Sequence, residues 1–306
     1  MNDALTHLLE SIRMQGSVFS RAELTAPWGV ESGNLDWGVF HAVVEGNAWA
    51  RLADGDDPVE LQRGDVVLFP FGDNHLITDA PGSPTRHIGL LSSVDGRGMG
   101  HLIVRGGGDT TSLICGKVAF ERARAHPVLS LLPPMLHIRN DDGRVSDIVE
   151  SLVDLIAAEV DAPVAGSDTV VARLTDALIV YVLRAYIDGL DDAEAGWLRA
   201  LRDPHISEAL ALIHAGPEQP WTARSLASSA GLSRSVFFAR FKEVVGETPA
   251  EYLTRWRIHV ATRMLKEEGC SVATTARRVG YSTEAAFSNA FMRVMGIRPG
   301  AYRRSA

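Results

Sequence analysis

The chain of 306 residues lacks the features that mark secreted and membrane-spanning proteins. It has two cysteines, Cys115 and Cys270, which lie too far apart in the sequence to form a disulfide framework. The N-terminus has no basic start followed by the apolar run of a secretory signal. No segment approaches the roughly 18 uncharged apolar residues that a membrane span needs. These absences predict a cytoplasmic protein.

Positive charge is scarce in the first two thirds of the chain. Residues 1–203 contain 16 basic and 30 acidic side chains, a net charge of −14, whereas residues 204–306 contain 14 basic and 8 acidic side chains, a net charge of +6. The length suits two domains, and the composition is that of an ordinary globular protein. A basic C-terminal module on an acidic body predicts a polyanion-binding end.

The pattern of residues 17–120 is that of β-strands. Short alternating runs are separated by turn-forming clusters at residues 54–58, 72–74 and 81–84, which predicts an all-β barrel or jelly roll. The glycine-rich residues 96–108 have no strand-to-helix context and are predicted to form a mobile loop. From Arg144 the period becomes helical, and the interdomain linker is expected near residues 189–204.

Two apolar helical stripes follow Arg144. The second is apolar on more than one side, so it must be covered by the barrel, by a neighbouring helix or by a second subunit. We therefore expect residues 145–188 to form a homodimer contact. The first stripe consists of Ile148, Leu152, Leu155 and Ile156, and the second of Val170, Val171, Leu174, Leu178, Tyr181 and Val182.

An internal repeat in the C-terminal part is the most specific pattern in the sequence. One group of residues recurs 49 positions later and a second group recurs 50 positions later, so a one-residue insertion separates the copies. Such twinning indicates one structural unit built twice. The first group is Ala227, Gly231 and Ser233, which return as Ala276, Gly280 and Ser282; the second is Phe237, Phe241, Gly246 and Pro249, which return as Phe287, Phe291, Gly296 and Pro299.

Each copy has the layout of a helix-turn-helix. The glycine allows the positive φ that ends a short helix, Ser233 or Ser282 is expected to cap the next helix, and the paired phenylalanines bury one face of it. The opposite faces are expected to enter DNA grooves. The candidate DNA-binding residues, including flanking arginines, are Arg234, Ser235, Phe238, Ala239, Lys242, Glu284, Ala285, Ser288, Asn289 and Arg293.

This segment resembles the AraC/XylS family of bacterial transcription regulators. The resemblance implies two helix-turn-helix units joined by a long helix, here Pro249 to Lys266, with both recognition helices in successive major grooves. It implies phosphate contacts from basic side chains and helix N-termini, which position the protein without reading sequence. The matching motifs include Gly231-Leu232-Ser233, Phe241-Lys242, Arg255-Trp256-Arg257, Gly280-Tyr281-Ser282 and Tyr302-Arg303.

A second resemblance lies in the N-terminal part. Residues 64–75 match the pattern G-x5-P-x-G-x2-H, which resembles the second motif of the cupin barrels and implies that His75 points into the barrel. The first cupin motif, near residues 43–46, lacks its usual ligands, since Val39 stands where the glutamate is expected. His41 follows two residues later, so strand alternation places it on the same face as Val39.

Cys115, in the predicted strand of residues 113–116, is the best third member of a group with His41 and His75. Thiolate and imidazole suit Zn²⁺, so a divalent metal such as zinc is one candidate cofactor for the barrel. Four roles stay open for these three candidate effector-binding residues: a metal site, a redox sensor, the lining of an organic-ligand pocket, or satisfied core residues without a ligand. Cys270 is expected to be incidental.

The whole chain resembles AraC-type regulators with an N-terminal cupin sensor, which implies a two-domain α+β protein. The expected parts are a cupin-like effector-sensing domain at 1–140, a helical dimerisation segment and linker at 141–203, and a double helix-turn-helix domain at 204–306. The resemblance implies an effector-controlled homodimeric activator that binds double-stranded promoter DNA and acts with RNA polymerase. The alternatives are a metal-dependent cupin enzyme with a DNA-binding appendage and a constitutive DNA-binding protein with a vestigial barrel. Because no facial triad of two histidines and a carboxylate stands at motif spacing, we expect no enzyme.

Overall fold

The computed structural model describes residues 15–55, 57–90, 93–94, 100–119, 132–140, 144–189, 200, 203–266 and 268–304. These residues fall into two compact units, a strand-rich unit up to Gly189 and a helical unit from residue 200 onward. The expected α+β, two-domain architecture is therefore confirmed. Within the described ranges, every helix is too short or too polar to span a bilayer.

Two β-sheets form the strand-rich unit. The strands are β1 Gln15–Thr25, β2 Gly29–Glu31, β3 Gly38–Glu45, β4 Ala48–Leu52, β5 Val59–Leu61, β6 Val66–Phe69, β7 His75–Thr78, β8 Arg86–His87, β9 Ser93–Val94, β10 Gly100–Arg105, β11 Thr110–Ala119 and β12 Leu136–Ile138. The strand order is β12-β6-β3-β11-β1-β10-β9 in the first sheet and β5-β4-β7-β2-β8 in the second. One apolar core contains side chains from both sheets, among them Ala22 and Phe69 from the first and Ala50 and Ile77 from the second.

The glycine-rich residues 96–108 were expected to form a loop, and this prediction is wrong for Gly100–Arg105. That segment is a strand that pairs in parallel with β1. Leu102 is buried in the core and Val104 packs against it, whereas Ile103 between them is half exposed. This alternation stabilises a strand although glycines flank it. Residues 96–99 of the stretch lie outside the described residues.

Two helices, α1 Arg144–Asp161 and α2 Ser167–Gly189, complete the strand-rich unit. The backbone N–H of Gly16 in β1 donates to Asp176 Oδ1 at 2.8 Å, and a Cβ at Gly16 would lie 2.5 Å from Thr175 Cγ2. The close approach of α2 to β1 thus requires glycine at this position. The sheet and α1 cover a broad face of α2, whose buried apolar members are Val171, Leu178, Ile179, Val182, Leu183 and Ile187.

The helical unit contains the expected twin helix-turn-helix. The predicted long helix has the bounds Pro249–Lys266, and all four repeated phenylalanines are fully buried. The helices of this unit are α3 Pro204–Ala215, α4 Ala223–Ser229, α5 Arg234–Val245, α6 Pro249–Lys266, α7 Val272–Arg278, α8 Glu284–Met295 and α9 Pro299–Arg304. The first helix-turn-helix consists of α4 and α5 and the second of α7 and α8.

The two turns differ by the inserted residue. Ser233 caps α5 as expected, with its side chain accepting from the backbone N–H of Val236. The expectation that Ser282 caps α8 is wrong, because Thr283 Oγ1 accepts from Ala286 N–H at 3.2 Å. The second turn carries one more residue between its positive-φ glycine and the cap than the first turn does. The insertion therefore lies inside the turn and leaves both recognition helices with the same length.

Replacement of the observed cap should destabilise the helical unit. Thr283→Ala removes the acceptor for a helix N–H, and we expect the free energy of unfolding to fall by about 1 kcal/mol. Ser282→Ala is the matched control and should leave it within about 0.5 kcal/mol of the wild type. Urea unfolding of the full chain, followed by circular dichroism, measures both values. Equal losses in the two variants would contradict the assigned cap.

Candidate functional site

A cavity of about 280 Å³ lies between the two sheets of the strand-rich unit. Both sheets contribute lining side chains, and the lining is predominantly apolar. This cavity, called the sensor cavity below, is large enough for a small organic molecule. Its apolar walls include Leu24, Trp28, Val39, Ile77, Leu102 and Leu113.

The structure brings the three predicted sensor residues together on one wall of this cavity. His41 in β3 and Cys115 in β11 are register partners across an antiparallel ladder. His75 is the first residue of β7, its backbone N–H donates to Ser32 Oγ at 3.0 Å, and its ring stacks on Phe69 with centroids 3.8 Å apart. All three side chains are buried. His41 and Val39 both line the cavity, so they lie on the same face of β3, as strand alternation predicted.

The three side chains form one hydrogen-bonded chain, and its geometry determines where each proton lies. His75 Nδ1 lies 2.8 Å from the carbonyl oxygen of Asp73, which can only accept, and 2.9 Å from Ser32 Oγ. Because the Ser32 hydroxyl donates its own proton to the carbonyl oxygen of Gly33, both neighbours of His75 Nδ1 are acceptors and this nitrogen carries a proton. His75 Nε2 is then an acceptor, and His41 Nε2 donates to it at 2.9 Å. His41 Nδ1 is left to accept from the thiol of Cys115 at 3.0 Å. Both imidazoles and the thiol are therefore neutral.

Burial produces the same protonation states. It lowers the pKa of His75 to about 4, and it lowers the pKa of His41 well below its ordinary value, with His75 contributing further. Burial also raises the pKa of the Cys115 thiol to about 12. Each shift arises because an apolar surrounding disfavours the charged form.

The three residues do not fit a shared zinc site. Cys115 lies on the Nδ1 side of the His41 ring and His75 lies on the Nε2 side, whereas one ion needs all three lone pairs to converge on it. Among the described residues, no group of three or more His, Cys, Asp or Glu side chains is placed to hold a metal ion. The arrangement is that of a proton relay.

Sequence reasoning missed two other members of the cavity wall, Trp28 and Lys117. The indole N–H of Trp28 is buried and has no hydrogen-bond partner among the described residues. Lys117 is exposed, and its Nζ lies 5.9 Å from the centroid of the Trp37 ring. Alternation along β11 from Cys115 would have found Lys117, but no pattern in the sequence marks Trp28 as a cavity residue.

The recognition helices of the helical unit present the predicted DNA-binding residues outward. Of the ten, Ser288 is half-buried and the others are exposed. Phe238 is 42% exposed, and Val236, two residues earlier in the same helix, is 52% exposed, so this recognition helix presents apolar side chains to solvent as well as polar ones. Val236 is not among the ten residues predicted from the sequence.

Three arginines near these helices hold the fold together. Arg240 of α5 pairs with Asp203, whose other oxygen caps α3 through His205 and Ile206 N–H. Arg255 pairs with Glu247, and Arg257 donates to the carbonyl oxygens of Pro217 and Gln219. The Arg255-Trp256-Arg257 motif therefore has structural roles in the helical unit.

Comparisons with known proteins agree with both halves of this description. A cupin family model matches residues 3–188, and a helix-turn-helix domain model matches residues 226–305. The HTH-type transcriptional regulator AlkR of Acinetobacter baylyi is 32% identical over 99% of this chain and 100% of its own length. A Streptomyces antibioticus protein whose name describes it as AraC-like is 35% identical over 87% of this chain and 86% of its own. The DNA-binding domain of AdpA, solved with a target DNA, is 31% identical over 34% of this chain and 92% of that domain, with a TM-score of 0.32.

Acidification should destabilise the strand-rich unit through its buried histidines. In the unfolded chain His75 takes up a proton near pH 6.5, whereas in the folded chain its pKa is about 4. The free energy of unfolding is therefore unaffected by His75 above pH 6.5 and decreases as the pH falls below that value. Between about pH 7.5 and pH 5, His75 alone should lower the free energy of unfolding by about 2 kcal/mol.

Urea unfolding followed by tryptophan fluorescence at several pH values measures this loss. The matched variant is His75→Gln, which removes one of the two buried histidines and should show a shallower pH dependence than the wild type. If the variant and the wild type lose the same stability over this range, His75 is not held neutral in the folded chain.

Proposed function

The chain belongs to the AraC-type transcription regulators with an N-terminal cupin domain, and we propose that a small effector in the sensor cavity controls its activation of transcription. Its relatives over almost the whole length are transcription regulators, so the chain is a DNA-binding regulator and not an enzyme. Effector control and activation of transcription are the two parts of the proposal that go beyond the family relationship.

The main support for DNA binding is the pair of similar exposed faces on the recognition helices α5 and α8. Each recognition helix buries its phenylalanine pair and exposes the opposite face, and the surrounding segment has a net charge of +6. An exposed helix face of this kind fits a major groove, and two of them on one DNA side must lie about 34 Å apart. Promoter DNA is therefore the partner of this surface.

Individual side chains suit particular roles in the groove. Asn289 suits adenine, Glu284 suits the amino group of cytosine, and the apolar Phe238 and Ala239, with Val236, suit thymine methyl groups. We assign phosphate contacts or flanking support to the charged Arg234, Lys242 and Arg293, and groove-lining positions to Ser235, Ala285 and Ser288. Arg240 is left out because it pairs with Asp203.

The sensor cavity supports control by an organic effector better than control by a metal or by a disulfide. The geometry of His41 does not suit a shared ion, as described above. Among the described residues of the strand-rich unit, Cys115 is the one cysteine, and Cys270 belongs to the other unit. A thiol with a pKa of about 12 has little of the thiolate form that common oxidants attack.

We further propose that α2 provides the homodimer contact and that residues 1–140, 141–203 and 204–306 sense, dimerise and bind DNA. Val170 is 44% exposed, and Leu174 and Tyr181 on the same side of α2 are partly exposed. The sheet and α1 leave this side of α2 uncovered, so it is available to a second subunit. A dimer is expected because two linked DNA-binding domains bind far more tightly than one. Contact with RNA polymerase and a cytoplasmic location follow from the proposed role as an activator.

Loss of a base contact should change the sequence preference of DNA binding, whereas loss of a phosphate contact should change its overall affinity and salt dependence. Asn289→Ala should alter the preference for one base pair of the operator by about 1 to 3 kcal/mol. Lys242→Ala should weaken binding to all sequences and should reduce the slope of log K against the logarithm of the salt concentration by about one. Fluorescence anisotropy with promoter DNA at several salt concentrations measures both. If the wild type shows no salt-dependent binding to its own promoter region, the proposed function is wrong.

A charge on the exposed stripe of α2 should dissociate the dimer. Leu174→Glu places an unpaired carboxylate in the proposed apolar contact, so we expect dissociation at concentrations where the wild type is dimeric. Gln62→Glu adds the same charge at an exposed site in the strand-rich unit and should have no effect. Light scattering on the full chain gives the mass of each. A monomeric wild type at high micromolar concentration would exclude the homodimer.

A further inference from the structure

The relay in the sensor cavity has the arrangement of a nucleophile, a base and an orienting group. Cys115 lies 3.0 Å from His41 Nδ1, and His41 Nε2 lies 2.9 Å from His75. His75 in turn is held by the carbonyl oxygen of Asp73 and by Ser32. A thiol next to an imidazole that a third group orients is the pattern of an activated nucleophile.

A proton can move along this relay without the loss of any hydrogen bond. If the Cys115 proton passes to His41 Nδ1, the ring becomes an imidazolium that still donates from Nε2 to His75 and now donates from Nδ1 to the thiolate. No side chain has to turn. The neutral resting pair is therefore poised to ionise at the moment when an electrophile reaches the sulfur.

The same cavity provides a place for the oxygen of such an electrophile. Trp28 is 2% exposed and lines the cavity, and its Nε1–H has no partner among the described side chains and backbone groups. An unsatisfied buried donor costs free energy that a ligand acceptor would recover. Most of the remaining lining, such as Leu24, Ile77 and Leu113, is apolar, and its other polar members outside the relay are Ser20, Ser32 and Lys117. A ligand that matches this cavity has an apolar body and one acceptor oxygen.

We propose that the sensor cavity captures an apolar α,β-unsaturated carbonyl compound, which Cys115 binds covalently as a thioether. This inference rests on the proposed effector control and names the chemical class of the effector. The relay provides the nucleophile and the base, and Trp28 provides the donor for the carbonyl oxygen. A cavity of about 280 Å³ accommodates a short enal such as trans-2-hexenal.

The proposed step is a conjugate addition that needs no further reagent. The bond from Cys115 Sγ to the β-carbon forms while His41 Nδ1 takes the thiol proton, and the π electrons of the C=C bond move into an enolate. His41 then returns the proton to the α-carbon. All atoms of both partners stay in the product, and nothing leaves or is oxidised or reduced. His75 is a positioning residue that holds His41 as the acceptor of the thiol proton.

Burial makes this capture selective. Cys115 is 6% exposed and its pKa is raised to about 12, so polar reagents in solution meet little thiolate. An apolar electrophile enters the cavity and reaches the sulfur beside its base, where local ionisation suffices. We therefore expect trans-2-hexenal to modify Cys115 at least about 10-fold faster than polar iodoacetamide does, relative to the rates of the same reagents with a free thiol peptide.

Intact-protein mass spectrometry of the full chain treated with trans-2-hexenal, with peptide mapping, tests the proposal. We expect one adduct on Cys115 in the wild type and in Cys270→Ser, and none on this site in Cys115→Ser. Saturated hexanal cannot undergo the addition, and its prior presence should slow adduct formation by occupying the cavity. Modification that occurs only on Cys270, or that hexanal does not slow, would overturn the proposal.

The relay itself is tested by rates and does not depend on whether Cys115→Ser folds. His41→Gln should slow adduct formation by about 100-fold, because the base is lost. His75→Gln keeps a polar partner for His41 and should slow it less, while His75→Phe removes that partner and should slow it nearly as much as His41→Gln. Equal rates in wild type and His41→Gln would exclude the relay. DNA binding of the untreated proteins is measured in parallel, so a failed capture is distinguished from a failed regulator.

Discussion

The strand-rich unit depends on the burial of two imidazoles and a thiol between its sheets. Such groups are tolerated in an apolar interior only if every donor and acceptor is satisfied, and the chain from Cys115 through His41 and His75 to Asp73 achieves this. The hydrogen bond between Cys115 and His41 requires the strand register in which these two residues lie opposite each other. A slip of one residue would turn one of these side chains to the other face of the sheet and leave its partner unsatisfied. The hydrogen-bond chain therefore specifies the register of β3 and β11 as well as filling the core.

The helical unit follows a different constraint, which is to bury two phenylalanine pairs on helices of equal length. Phe237 and Phe241 in one copy and Phe287 and Phe291 in the other are fully buried, and left-handed glycines end both recognition helices at Gly246 and Gly296. The inserted residue therefore lies in the second turn, where it shifts the cap from a serine to Thr283 and disturbs neither core.

These constraints explain which features could be predicted from the sequence. Period-two and helical patterns, the repeat and the position of His41 on the same face as Val39 all reflect local geometry, so the sequence pattern alone predicted them. The bounds of the Pro249–Lys266 helix, which the structure confirms, were implied by the resemblance to the AraC/XylS family. Gly100–Arg105 was missed because the alternation around Leu102 is short and glycines surround it. The cap at Thr283 and the unpaired indole of Trp28 depend on the placement of one inserted residue and on contacts between distant strands. Neither leaves a pattern in the local sequence.

The charge state of the sensor cavity limits what it can hold. A metal ion in this apolar space would need a compensating negative charge, but the acidic group in the lining of the cavity is a thiol whose pKa is raised to about 12, and both imidazoles are neutral. The carboxylate that cupin metal sites use is absent from its expected place, where Val39 is fully buried among apolar neighbours. A neutral, mainly apolar molecule enters without that electrostatic penalty and finds one unsatisfied donor in Trp28. The same burial that excludes an ion keeps the Cys115 proton beside His41, so the exclusion of charge and the readiness of the thiol have one physical cause.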